Sequence, residues 1–393
     1  MKKDSINIYV ICIVLLIMNC SYSLFTLTLL KGLLSVLCIL TLLSFFTIYK
    51  ERTSITKEVL VFYIFIGLGQ FISLRGDVFN LILSFIGRLP ILTLFMLKYE
   101  DLQNVTKNIV KCFYIIISAS LLLYLLNIFH VPIPSMGIVE YNQYQLNNFY
   151  YIYTDSLTYE GRFTGFCLET GYFSLLCICL LAVEGFDFSK KSSKIFLLAL
   201  LLSVSLEGYL LLVIGIVITS LSKAKHLSDS SLRIIGLFTL FAVLLFIITN
   251  YNGGDNIIAQ KILERLVFDE DLGIVGNNRE NILSGTVIDD LFYSNSVWLG
   301  IGYEKLFSAL NFEGADACSW RLFVLSYGAI YTIMFFLLTL YLFNKTIKMK
   351  TTTIFIIMWL DFYPHGDLFS EVLYFYVIIC LLNLKNSSKF VLV

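Results

Sequence analysis

The chain has 393 residues, 58% of them hydrophobic and only 14% charged, with a mean hydropathy of +0.83. Soluble globular chains run near about 45–50% apolar and about 25% charged, so this composition excludes an ordinary soluble domain and points to a polytopic membrane bundle. The 28 basic and 28 acidic side chains sum to zero, which excludes a strongly basic nucleic-acid binder and a long acidic tail.

A helix that crosses a bilayer needs about 20 mainly apolar residues, with about 17–25 tolerated. In chain order that ruler predicts spans over 6–22, 24–48, 58–74, 78–98, 108–129, 169–186, 231–251, 318–343, 351–363 and 369–385, of which 351–363 is short. Met1-Lys2-Lys3 leads into two successive apolar runs with no small-residue cleavage site between them, so the opening run reads as an uncleaved span and not as a signal peptide. The apolar run 195–222 would be about 42 Å long as one helix, against a hydrocarbon core of about 30 Å. It is interrupted once, at Ser205-Leu206-Glu207-Gly208, and is flanked by Lys190, Lys191 and Lys194 before it and by Lys223, Lys225 and Arg233 after it. Lysine and arginine collect on the cytoplasmic side, so both ends are expected inside, and 194–222 is expected to be a short hairpin turning at Glu207 near the outer face. The alternative, one long tilted helix, would put a basic cluster outside.

The expected fold is therefore all-α: a single membrane domain over 1–393, with about twelve membrane segments and both termini inside. That topology leaves nineteen Lys and Arg at the inner face and seven at the outer, with Lys31 and Arg88 inside spans. Two outer loops are long, about 130–168 and about 252–317, where connections commonly run about 2–6 residues. Both contain Tyr, Phe and Ile throughout, which argues against disorder. Tyr141, Tyr144, Phe149, Tyr150, Tyr151 and Tyr153 make the first loop rich in aromatic faces. Such faces suit sugar rings and the membrane interface equally, and both readings stay open.

Seven of the nine cysteines lie in apolar runs, where cysteine acts as a small hydrophobe. Cys167 and Cys318 fall near the long polar segments, and their pairing is open. No paired C-x-x-C occurs, and His130, His226 and His365 are far apart in the chain; no metal site and no cofactor are expected.

Ionisable groups inside a membrane are costly and suggest function. Arg88, within Gly87-Arg88-Leu89-Pro90, either faces a polar cavity that receives an anion or fixes the bundle through an internal ion pair. Lys31 lies near the outer end of its span and can snorkel. The most informative stretch runs from Arg162 to Phe173, closing the first outer loop and opening a span. Arg162 is the only Lys or Arg in that loop. Beside a helix N-terminus, with its unpaired N–H groups and partial positive charge, it makes a candidate site for a phosphate or diphosphate. A surface pair with Glu160 or Glu169 is the bland alternative. Asp269-Glu270-Asp271 has the D-x-D form that holds metal on nucleotide sugars, but on an outer loop it reads as a solvated segment.

Arg162-Phe163-Thr164-Gly165-Phe166 followed by Glu169-Thr170-Gly171-Tyr172-Phe173 resembles the R-x-x-G-x-x-x-E-P-x-x-F/A element of bacterial O-antigen and capsule repeat-unit polymerases, with Thr170 where proline is common. The family's next landmark, a short hairpin often marked Ser-Arg-Gly, corresponds in position to Ser205-Leu206-Glu207-Gly208, where the arginine is absent. In the second long loop, Asn278-Arg279-Glu280 and then Trp298-Leu299-Gly300-Ile301-Gly302-Tyr303 are similar to the family's arginine followed by a G-x-G-Y turn. Leu322 to Gly328 with Ile330 is similar to its entry into a late span. The resemblance covers the topology of about 1–385 and specific residues at 162–173 and 279–328. Related lipid A core ligases carry a histidine near the equivalent of Ala317 or Cys318. This chain has Asp316-Ala317-Cys318 there, which favours polymerase over ligase.

The resemblance implies a multi-pass enzyme of the bacterial cytoplasmic membrane acting on two undecaprenyl-diphosphate-linked oligosaccharide repeats at the outer face. An acceptor hydroxyl would attack the anomeric carbon of the donor, and undecaprenyl diphosphate would leave. Arginines positioned on the leaving group should then be the largest catalytic contribution; Arg162 and Arg279 are expected there, with Arg88 as a third. Glu169, Asp316 and His365 are candidates for the general base. Gly165, Gly300 and Gly302 are expected in the substrate site. The implied partners are lipid-linked oligosaccharides, the bilayer and a chain-length regulator protein, with no nucleic acid. The rival from another class is a polysaccharide flippase, which would also have about twelve spans but should show internal repeats and midplane charges.

Overall fold

The computed structural model describes residues 2–20, 23, 31–49, 57–73, 90–141, 144–156, 162–223, 268–269, 273–274, 290–309, 320–365 and 371–388. The chain is predominantly helical. Its elements are α1 (Lys2–Cys20), α2 (Lys31–Tyr49), α3 (Lys57–Ser73), α4 (90–96), α5 (Tyr99–Ile128), β1 (Ile138–Tyr141), β2 (Tyr144–Phe149), β3 (Tyr153–Ser156), α6 (Thr170–Glu184), α7 (Lys191–Leu202) and α8 (Leu206–Lys223). They continue with β4 (Phe268–Asp269), β5 (Gly273–Ile274), α9 (Ser296–Leu299), α10 (Tyr303–Ala309), α11 (Trp320–Tyr327), α12 (Ala329–Lys345), α13 (Met349–His365) and α14 (Glu371–Ser388). The expected span 231–251 and the first part of 78–98 lie outside the described residues.

Among the described residues one helix, α5, is long and apolar enough to cross a membrane by length and composition. Its 30 residues make a rod of about 45 Å, and Glu100 and Asp101 in its first turn complement the positive end of the helix. The expected span 318–343 is not straight. It is the pair α11 and α12, which together meet the same test but are bent by 107° at Gly328. The contacts divide the chain into two compact units. One comprises Met1–Ile116 with Ser284–Val393, the other Ile117–Leu283, so α5 belongs to both.

In the first unit α1 packs on α2 and α13 on α14. The Tyr9 hydroxyl meets Thr93 Oγ1 at 2.6 Å, joining α1 to α4, and Lys385 Nζ donates to the Phe95 carbonyl at 2.7 Å and to that of Leu97. A half-buried amine thus satisfies carbonyls at and just past the end of α4. An aromatic column, Phe323, Tyr327 and Tyr331, runs past the α11–α12 bend with centroid spacings of 4.3 and 5.6 Å, and Phe65 of α3 stacks on Tyr331 at 5.2 Å.

In the second unit the three strands form an antiparallel meander in the order β1-β2-β3. The segment expected as the first long outer loop thus carries a small folded sheet, which the sequence reading did not anticipate. α6 ends at Gly185 in the left-handed conformation, φ 74°, with its N–H donating to Ala182 and the Phe186 N–H to Leu181; this closes the last turn's open carbonyls. The turn into α7 is fixed by Glu184, whose Oε2 accepts from Ser192 Oγ at 2.7 Å and Ser193 Oγ at 2.6 Å. The run expected as a hairpin is two helices, α7 and α8, separated at 203–205, with Val204 at φ 49°. Ser205 caps α8: its Oγ accepts from the Gly208 N–H at 3.2 Å. α6 and α8 approach closely there, since a Cβ on Gly208 would stand 2.6 Å from Ser174 Cβ.

Candidate functional site

The segment 162–168 is a strap held between the small sheet and the break at 203–205. At its sheet side, Thr154 on β3 donates its N–H to the Gly165 carbonyl at 2.7 Å. Thr154 Oγ1 meets Thr164 Oγ1 at 2.7 Å and donates to the Cys167 carbonyl at 2.8 Å. At the other side the Phe163 N–H donates to Leu202 O at 3.0 Å, and Arg162 Nη2 donates to Val204 O at 3.1 Å. Leu202 is the last residue of α7, where helix carbonyls lack partners within the helix, and Val204 lies in the break itself. Arg162 therefore serves as a tether for the break while holding its charge, and it is only 7% exposed. It is buried where a surface arginine was the alternative.

The strap is packed by rings. Phe163 stands 5.1 Å from Tyr124 and 4.9 Å from Phe173, and Tyr153 stacks on Phe149 at 5.5 Å. Gly165 has φ +59° and its missing Cβ would lie 2.2 Å from the Phe173 ring. Its role is to let the strap pass over that ring. Phe149 and Tyr153 are thus interior residues of the loop, an outcome neither reading of the aromatic stretch included. Asp155 ties the sheet to α5: Oδ2 accepts from Asn127 Nδ2 at 2.9 Å and Oδ1 from the Tyr153 hydroxyl at 3.2 Å. Burial, together with the nearby Asp155 carboxylate, pushes the Tyr153 phenol far above its usual range, so it stays a proton donor. Glu169 is the residue before α6, in extended conformation at φ −130°, half-buried, and its side chain does not cap the helix.

In the first unit His365 closes α13. Its Nδ1 lies 2.7 Å from Asp361 Oδ1, and both side chains are almost wholly buried, each 2% exposed. Against an ionised Asp361, which can only accept, Nδ1 would carry the proton and leave Nε2 as the basic nitrogen. Asp361 was missed in the sequence, although a separation of four places both residues on one helix face.

Gly300 and Gly302 also lie in the first unit, and packing explains both. Gly300 (φ 69°, ψ 157°) and Gly328 (φ 95°, ψ 147°) adopt a conformation close to glycine-only backbone. A Cβ on Gly300 would be 2.6 Å from Gly328 N and from Ser326 O, backbone against backbone. The Ile301 N–H donates to Leu325 O at 2.8 Å and the Gly302 N–H to Ser326 O at 3.2 Å. The G-x-G turn is therefore docked on the α11–α12 bend and takes up carbonyls that the bend exposes. Next to it the Arg321 guanidinium lies 5.9 Å from both the Phe292 and Trp320 ring centroids, a cation held over aromatic faces that sequence reasoning did not single out.

Arg88, Arg279, Asp316 and Cys318 lie outside the described residues. Cys167 is buried in the strap.

No protein-family model, no curated protein and no solved structure matches this chain. Chemically, the second unit offers a buried guanidinium at a helix break close in sequence to a helix N-terminus, and the first unit a buried imidazole oriented by a carboxylate. The former suits an anionic leaving group, the latter proton transfer.

Proposed function

We propose that the chain is a membrane-embedded glycosyltransferase that joins undecaprenyl-diphosphate-linked oligosaccharide repeats at the outer face of the bacterial cytoplasmic membrane, as a polymerase of the O-antigen and capsule type. The observation that carries this reading is Arg162: a charge that ordinarily seeks water is held buried on the α7–α8 break, on the strap that leads into α6. Burying a permanent cation is costly, and ionisable groups held at membrane depth are commonly functional. In the proposed reaction the acceptor hydroxyl attacks the anomeric carbon, the bond from that carbon to the diphosphate oxygen breaks, and the electron pair leaves with undecaprenyl diphosphate. Arg162, together with Arg279 and Arg88, would stabilise the charge that develops on the diphosphate. The hydroxyl proton passes to a base, for which Glu169, Asp316 and His365 are the candidates; the Asp361 carboxylate orients the His365 ring.

The bundle proposed for this reaction has about twelve membrane segments with both termini cytoplasmic, lipid-linked oligosaccharides as substrates and a chain-length regulator as protein partner. No cofactor enters the reaction as written.

A second reading, a polysaccharide flippase, is favoured by one feature: the helices broken at 203–205 and at Gly328, since carriers build their sites at discontinuous helices. The surface glycan of a strain lacking the chain separates the two. A polymerase leaves a single repeat unit at the surface, and that is the expected result; a surface with no repeat unit would overturn the polymerase reading. Asp361→Asn, re-expressed in that strain at the parent level, is expected to restore only short ladders, because general-base catalysis contributes roughly 10²–10⁴-fold.

A further inference from the structure

The described part of the first outer loop is folded inside out for a water-facing loop. Its interior is filled by Leu146, Phe149, Tyr153 and Phe163, yet its outer side is also apolar. Phe129 is 74% exposed, Ile138 59% and Met136 56%, with Val131 exposed as well. From 129 to 139 the only titratable residue is His130.

This patch is continuous with a stripe on α5. Ile115, Leu122 and Phe129 are exposed and follow one another at intervals of seven, with Leu125 and Ile128 beside them. Seven residues are close to two turns, so the stripe runs straight up one face of the helix and off its end. The segment beyond the helix is not a loose tail. The Phe129 N–H donates to Leu125 O at 3.0 Å and the Val131 N–H to Leu126 O at 2.9 Å. Met136 N–H donates to Asn148 O at 2.8 Å, and Asn148 N–H to Gly137 O at 2.9 Å, which extends the β1–β2 ladder. Ser120 Oγ donates to Ile152 O, and Asn127 donates to Asp155, so the sheet is bolted along the last turns of α5. The height of Phe129, Met136 and Ile138 relative to α5 is therefore fixed by the fold.

We infer that 129–138 is an interfacial anchor: Phe129, Val131, Met136 and Ile138 enter the outer leaflet at the boundary between headgroups and acyl chains. The occupant of this surface is lipid. An apolar stripe on a bilayer-length helix that continues past the helix end without a charge has no water-facing part, and an interfacial segment buries its apolar side about 5–10 Å into that boundary. The anchor would hold the sheet, and with it the strap that carries Arg162, at the level where a lipid diphosphate lies. The inference rests on the membrane-spanning reading of α5 proposed above.

The test uses the full chain in phospholipid vesicles, with Ile138→Trp, Phe129→Trp and Leu122→Trp each compared with the parent. Emission added by each tryptophan is quenched by lipids brominated either near the headgroup end or near the methyl end of the acyl chains, or by aqueous iodide. Ile138→Trp and Phe129→Trp are expected to lose roughly half or more of the added emission to the shallow bromine and little to iodide. Leu122→Trp is expected to respond most to the deep bromine. Quenching of Ile138→Trp and Phe129→Trp by iodide alone, with Leu122→Trp still quenched by lipid, overturns the anchor and leaves the span intact. No quenching of the two by either agent means protein covers the patch, a second copy or another chain, and also overturns it. Leu122→Trp quenched by iodide and not by lipid removes the span itself.

Discussion

Arg162→Ala is expected to abolish long-chain glycan, leaving at most one or two joined repeats, while Arg162→Lys is expected to lose roughly 10²–10³-fold in joining rate, the cost of removing one preorganised donor from a developing anion. The proposed catalytic role must be separated from a structural one. Its Nη2 bond to Val204 O tethers the break between α7 and α8, and losing it leaves a buried carbonyl short of a donor, at a cost of about 1–3 kcal/mol. Lysine keeps the charge but is a point donor without the planar fork of the guanidinium, and a shared site between a carbonyl and an anion suits the fork. A purely structural role would lower the amount of inserted protein in both variants and leave the activity per molecule unchanged. A catalytic role lowers activity per molecule at near-normal protein levels, at least in the lysine variant. Glycan ladders normalised to membrane protein decide between these. A full-length ladder from Arg162→Ala at parent levels would sink the assignment.

The largest structural effect is expected at Gly300. Gly300→Ala puts a methyl group 2.6 Å from the Gly328 nitrogen and the Ser326 oxygen, and neither can swing aside as a side-chain tip could. The backbone at φ 69°, ψ 157° adds about 1–3 kcal/mol of strain for any residue with a Cβ, and overpacking adds about 1–3 kcal/mol more. Against a total stability of about 5–15 kcal/mol, this should displace the G-x-G turn from the α11–α12 bend. The expected result is a sharp fall in folded protein, read as the fraction that survives mild heating in detergent. Gly302→Ala should be gentler, because its nearest contact would be 3.1 Å, to Ser73 O, although its φ of +86° still carries strain. Equal survival of Gly300→Ala and parent would show that the turn is not docked as described.

The legible parts of this chain are the ones that depend on local pattern. Apolar runs of bilayer length mark α1, α3, α5 and α14 in roughly the right places, because that signal needs no knowledge of neighbours. A break in 194–222 is legible as the interruption Ser205-Leu206-Glu207-Gly208, but the turn expected at Glu207 falls at 203–205, and Glu207 and Gly208 open α8. The bend at Gly328 is not legible, since Leu322 to Ile330 is mainly apolar and the backbone that docks on the bend, at Gly300, lies 28 residues earlier. β2 went unseen because its inward and outward positions do not alternate cleanly: Asn148 and Phe149 are adjacent and both buried. Arg162 stands out as the lone cation of its loop, but its acceptor, Val204, is set by tertiary folding that no local pattern contains. Asp361 was open to view, four residues before His365 on the same helix.

The central claim is that this chain joins lipid-linked repeats without help from another enzyme. It is tested most directly by placing the purified full chain in phospholipid vesicles with one synthetic undecaprenyl-diphosphate-linked oligosaccharide repeat. The expected products are lipid-linked dimers, trimers and longer chains, with one undecaprenyl diphosphate released for every bond formed. Oligosaccharide that crosses the bilayer without lengthening, or that stays unchanged in the presence of folded protein, would contradict the claim.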